Sequence, residues 1–162
     1  MEMELKQIPE VVGATTGPHA LTDKSTTAHF SAGTPTGPAL LATATGGEGA
    51  AQLYLNIENV TSTDQASGYD VYLNLPPNAD PDQYPDHFVG SMHMFGVAEA
   101  SRRDRQHPGT GLNYSLEATD VVKQLEAKRA WDPADVQVTF VPRHPTRPRG
   151  AIRIGRISLY QA

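Results

Sequence analysis

The residues of this chain best suited to chemistry are its six histidines, His19, His29, His87, His93, His107 and His144, and the two methionines that flank one of them in Met92-His93-Met94. A pair of copper ions held by imidazoles calls for helices that present histidines at i and i+4, and no two of the six have that spacing. A complete dicopper centre within this chain is therefore rejected. The better local candidate is Met92-His93-Met94 together with His87, because thioether and imidazole ligands jointly suit Cu(I). A strand sends Met92 and Met94 to one face and His93 to the other, so these residues grip one ion only if a bulge breaks the alternation. Without a bulge the methionines fill gaps in a core and His93 is a surface or cross-strand residue.

Other chemistries find less support. The absence of cysteine removes disulfides, thiolate catalysis, zinc fingers and iron–sulfur clusters together. No serine or threonine sits in a nucleophile elbow, and the glycine-containing GTGLNY and GTPTGP lack the strand, spacing and lysine of a phosphate loop. Asp80, Asp82 and Asp86 offer loop oxygens to Ca²⁺, but among so many prolines they read first as a solubilising turn. His87 beside Asp86, and His107 before Pro108-Gly109, are loop histidines of the solvated kind. With no acid–base or nucleophile constellation, the chain is not expected to be an enzyme by itself.

The elements that position these residues are mostly strands. Val71, Leu73 and Leu75 alternate with Asp70, Tyr72 and Asn74, the period of two that puts one face on a core. Pro76 and Pro77 stop that ladder, because proline has no N–H to donate, and the chain resumes as a strand from Phe88 to Val97. Leu53, Leu55 and Ile57 alternate most clearly, in a strand expected to neighbour the one at Tyr69. Ala28 and Phe30, Leu112, Tyr114 and Leu116, and Val136, Val138 and Phe140 mark further strands, with a short one at Ala39 to Thr43. In the last segment the inward set changes parity, from Ile152 and Ile154 to Ile157 and Leu159, which predicts a β-bulge at Gly155. Only Ala118, Val121, Val122 and Leu125 fall on a helical stripe, predicting one short helix near 119–130 with Thr119 as its cap. The expectation is an all-β fold, an antiparallel sandwich or flattened barrel of about seven or eight strands. Residues 1–25 would be a poorly structured lead-in and residues 26–162 the sandwich, in a single domain of 162 residues.

Charge and hydropathy narrow the partners. A formal charge of −5 argues against nucleic acid, although Lys123 to Arg156 is basic and reads as a docking face. No apolar run approaches the roughly 18 residues of a membrane span. The MEMELK start also lacks the basic-then-apolar order of a signal peptide. The chain is expected to be soluble as given, in a compartment the sequence leaves open.

The order of motifs resembles a known family. Gly68-Tyr69-Asp70-Val71-Tyr72 is similar to the KFDV-type strand of the C-terminal domain of plant polyphenol oxidases and bacterial tyrosinases. The resemblance continues through Val89-Gly90-Ser91, LEATDVVKQL at Leu116 to Leu125, VQVTFVP at Val136 to Pro142 and IRIGRISLY at Ile152 to Tyr160. Pro9 to Ala14 resembles the segment that follows the catalytic domain in such enzymes. The departures are Gly68-Tyr69 in place of Lys-Phe and the absence of the helical copper-binding domain.

What the resemblance implies is a non-catalytic β-sandwich domain of a latent type-3 copper oxidase. Such a domain packs over the dicopper site of a helical catalytic domain and shields it, or assists folding and copper loading as a chaperone. Copper would then belong to the partner, with no cofactor in this chain. Tyr84, Phe88, Leu112 and Tyr114, at loops or strand ends, are the candidates for docking or for occupying the partner's site. Two alternatives stay open: a copper-delivery protein carrying Cu(I) on His87, Met92, His93 and Met94, and a small β-sandwich ligand-binding domain.

Overall fold

The computed structural model describes residues 10–22, 24–32, 52–63, 68–103, 106, 109–143 and 152–162. The strand expected at Ala39 to Thr43, and His107 and His144, lie outside them. Ten strands are described: β1 Glu10–Ala14, β2 His19–Leu21, β3 Thr26–Phe30, β4 Leu53–Ser62, β5 Tyr69–Leu73, β6 Phe88–Met92, β7 Leu112–Glu117, β8 Val136–Pro142, β9 Ile152–Ile154 and β10 Arg156–Gln161. All pairings are antiparallel. The larger sheet runs β1-β10-β4-β9-β2 with β7 also paired to β4, and the smaller runs β3-β8-β5-β6. The all-β expectation holds, with more strands than predicted.

The core lies between the sheets, where the inward residues read from alternation meet. Leu53, Leu55 and Ile57 of β4, Val71 and Leu73 of β5, and Val136, Val138 and Phe140 of β8 are all buried in one cluster. Burying such side chains contributes about 1.5–3 kcal/mol each before conformational entropy is subtracted.

Several expectations are corrected. β4 and β5 are not neighbours but lie in different sheets, because β7 takes one edge of β4 while β10 and β9 share the other. Residues expected in a poorly structured lead-in form β1 and β2, which pair with β10 and β9. The parity change at Gly155 is present, with Ile152, Ile154, Ile157 and Leu159 all buried. It is not a bulge against β4. Ile152 faces Ser62 and Arg153 faces Thr61, and Arg156 still faces Glu58 in the same register. β4 slips at the same level, where Asn59 has φ 55°, so both strands change parity together. The irregularity appears instead against β7, between Ile57 and Val60, where the Asn113 side-chain oxygen accepts from the Asn59 N–H at 2.8 Å. Gly155 is needed there for space, since a Cβ would stand 2.9 Å from that of Asn59.

The predicted helix spans Thr119–Ala127 and buries Val122 and Leu125. Thr119 does not cap it. Ala118 is the N-cap residue, and the buried Thr119 hydroxyl accepts from the Leu53 N–H at 2.9 Å, stitching the helix to the start of β4. At the other end Arg129 takes a left-handed φ of 58°, and Arg129 and Ala130 donate to the Glu126 and Leu125 carbonyls, the pair of hydrogen bonds of a Schellman stop. A second, four-residue helix, Val97–Ala100, occupies what was expected to be strand and loop. No helix among the described residues is long and apolar enough to cross a membrane.

Candidate functional site

The strand expected to run from Phe88 to Val97 stops at Met92, and the chain turns. Met94 and Val97 are buried on either side of that turn, and the Val97 N–H donates to the Met94 carbonyl at 3.2 Å. Gly96, at φ 81° and ψ −4°, supplies the left-handed third position of a type II turn. Phe95 occupies the second position and is 91% exposed, the most exposed of the large hydrophobic side chains among the described residues. Tyr114, from the neighbouring β7, donates its hydroxyl hydrogen to the carbonyl of His93, fixing the entry to the turn. Burial raises the Tyr114 pKa, so the phenol keeps the proton this bond requires. The result is an aromatic ring held out into solvent by two buried anchors and a tyrosine brace.

The other end of β6 is built differently. Pro81–Gln83 and Pro85–His87 form two single turns of 3-10 helix, the first capped by the Asp80 carboxylate, which accepts from the Asp82 N–H. Lys128, just beyond the longer helix, pairs with Asp86 and holds its carboxyl below the usual range. The buried His87 has Nδ1 2.7 Å from the Leu73 carbonyl oxygen. A carbonyl only accepts, so Nδ1 carries the hydrogen. Tyr84 meets the His87 ring edge-on at 5.4 Å.

These positions separate the residues singled out in the sequence. Met92 and Met94 are buried in the core while His93 between them is exposed, so the alternation survives and divides the copper candidates between two environments. His87 is committed to Leu73. Among the described residues no three of His, Asp or Glu gather where they could hold a metal ion. Of the docking candidates, Leu112 and Tyr114 pack partly buried against the core, Tyr84 leans on His87, and Phe88 is 39% exposed with its ring 5.5 Å from that of Tyr72. Phe95 was missed because alternation was continued through it to Val97. The signal that marks it is Gly96, a turn former directly after an aromatic residue.

A family model described as a domain of unknown function, DUF7868, matches residues 8–162. The chain belongs to that family. It is 27% identical over 106 residues to tyrosinase HcTyr1 of Hahella sp. (strain CCB-MM4), an alignment covering 65% of this chain and 22% of that protein. In fold it is similar to recombinantly expressed latent aurone synthase, a polyphenol oxidase, with a TM-score of 0.57 at 15% identity, covering 91% of this chain and 26% of that one. The same latent enzyme from its natural source matches with a TM-score of 0.52, also at 15% identity, covering 86% of this chain and 25% of that one. The chain thus spans about a quarter of the length of these relatives. The resemblance to the C-terminal β-sandwich domain of polyphenol oxidases and tyrosinases therefore stands, in fold and in a tyrosinase relative.

Proposed function

We propose that this chain is a shielding domain that docks over the dicopper site of a helical tyrosinase-type catalytic domain and excludes substrate by inserting Phe95. The observation that carries this is the presentation of Phe95: a fully formed turn, anchored on both sides, that offers one large apolar ring to solvent. A ring of that size gains affinity only by entering a pocket on another surface, as the aromatic anchors of protein interfaces do. The likeness to latent phenol oxidases and the length of the match, a minor part of each relative, support the same reading. On this reading copper belongs to the partner, consistent with Met92 and Met94 lying in the core and His87 being spent on a backbone carbonyl. If both domains are carried on one chain, the high effective concentration lets a modest interface keep the site closed.

The test is a phenol-oxidation assay of the copper-loaded helical domain, alone and with this chain added or fused. Addition is expected to suppress diphenol oxidation, and Phe95→Ser to weaken that suppression by about 30-fold or more, the loss typical of an interface anchor. Phe88→Ser should change it little. Equal oxidation rates with and without the chain, under conditions where the two demonstrably bind, would eliminate shielding.

A further inference from the structure

Beside the short helix that follows Phe95 lies a cavity of about 600 Å³, lined by Thr61, Thr63, Ser101, Arg102 and Arg153 among others. Arg102 lies two residues beyond the helix Val97–Ala100, Arg153 is in β9, Thr61 is in β4 and Thr63 just follows it, so three separate parts of the chain meet there. Among the described residues, no aspartate or glutamate lines it. Neither arginine has an ion-pair partner among the described residues.

That pairing pattern is selective. Arg156 on β10 stands across from Glu58 and approaches its carboxylate at 4.0 Å, and Arg143 reaches Asp70 at 3.5 Å. Arg153, in the equivalent position one strand segment earlier, stands across from Thr61 instead. The walls are held by hydrogen bonds independent of the arginines. Ser101 Oγ donates to the Val97 carbonyl at 2.6 Å and accepts from the Ser62 N–H at 2.9 Å, tying the helix end to β4. The Gly111 N–H donates to the Ala100 carbonyl at 3.1 Å, tying the start of β7 to the helix end.

We propose that this cavity is an oxyanion site, taking a phosphate or carboxylate group between the guanidinium heads of Arg102 and Arg153. The planar guanidinium presents paired N–H donors that match the oxygens of either group, and charge-assisted bonds of this kind are about twice as strong as neutral ones. Two cations lining one cavity, with hydroxyls beside them and no carboxylate among the described lining residues, are complementary to a doubly accepting anion. The anion is either free in solution or carried on an acidic side chain of a bound polypeptide. Such a site is independent of the shielding role, since it uses neither Phe95 nor a catalytic partner.

The experiment is an amide-resolved NMR titration of the full chain with inorganic phosphate, and separately with a short Asp/Glu peptide, each at constant ionic strength. Phosphate or the peptide is expected to give saturable shifts at Ser101, Arg102 and Arg153. Arg102→Gln or Arg153→Gln should each weaken binding by about tenfold, as for loss of one charged hydrogen-bond donor, and the double variant should abolish it. Arg156→Gln, which removes a cation already paired, should leave binding unchanged. Saturation by phosphate assigns a free anion, and saturation by the peptide alone assigns a side-chain carboxylate. Absence of saturation with both, binding that survives in the double variant, or equal weakening by Arg156→Gln would each overturn the site. Both arginines are exposed, and an unchanged amide spectrum away from the cavity will show that the variants remain folded.

Discussion

The two ends of β6 carry one phenylalanine each, and the fold treats them in opposite ways. Phe88 enters the strand with its ring resting on Tyr72, tilted 59° at 5.5 Å, and is 39% exposed. Phe95 leaves the strand on a turn and is 91% exposed, although the residues beside it at Met94 and Val97 are buried. Leaving a phenylalanine in water forgoes about 1.5–3 kcal/mol of burial. At Phe88 the fold recovers part of that, and at Phe95 it builds a braced turn that recovers almost none. An exposed aromatic residue supported by local packing is thus distinguished from one held out without such support.

The largest effect is expected when an anchor of the turn is removed. Met94→Ala should destabilise by about 2–5 kcal/mol, the range for truncating a buried methionine, measured by urea unfolding. Gly96→Val acts on the turn itself. A Cβ at Gly96 meets nothing within 4 Å, so the cost is conformational, from placing a β-branched residue at φ 81°, and should be about 1–2 kcal/mol. Thermal unfolding of that variant beside Gly96→Ala isolates the added β-branch.

Tyr114→Phe removes the brace on the His93 carbonyl and should cost about 1 kcal/mol, as for one net hydrogen bond. It also predicts a pH effect. Burial raises the Tyr114 pKa above its ordinary 10.0, so the native state retains a proton the unfolded state has lost. The stabilisation is complete below the unfolded tyrosine value and is lost as pH rises through the folded one. Stability measured across this alkaline window should fall less steeply in Tyr114→Phe. A residual slope is expected from Tyr72, whose pKa is raised by burial and by the neighbouring Asp70.

Much of the sheet structure was legible because inward positions must be apolar at a period of two, whatever the strand pairs with. That constraint located Leu53, Leu55 and Ile57, and it even exposed the parity change at Gly155. It could not show that β4 changes parity at the same level, because Asn59 in a left-handed conformation leaves no apolar mark. Pairing was equally hidden. Adjacent strands were taken for neighbours, whereas β4 is long enough to be shared by β7, β10 and β9. Thr119 looks like a cap from its type, but its hydroxyl is claimed by Leu53, a residue 66 positions away. At the site, the separation of Met92 and Met94 from His93 was legible from alternation. Phe95 was not, since a pattern that fits a strand through Val97 gives no reason to end it early.

The smallest predicted stability effect is the most discriminating. If Phe95 is held out for a partner, Phe95→Ser removes a ring that contributes almost nothing to the isolated fold, and unfolding stability should change by no more than about 0.5 kcal/mol. Phe88→Ser loses contact with Tyr72 and a half-buried ring, so it should cost about 1 kcal/mol or more in the same measurement. Under the proposed shielding role the functional ranking is expected to reverse, with Phe95→Ser relieving suppression of the helical oxidase domain and Phe88→Ser leaving it in place. Agreement of both rankings requires that the two rings serve different purposes, one internal and one external. A Phe95→Ser variant as destabilised as Phe88→Ser would mean that the ring packs on its own fold, and the case for insertion into a partner would fall with it.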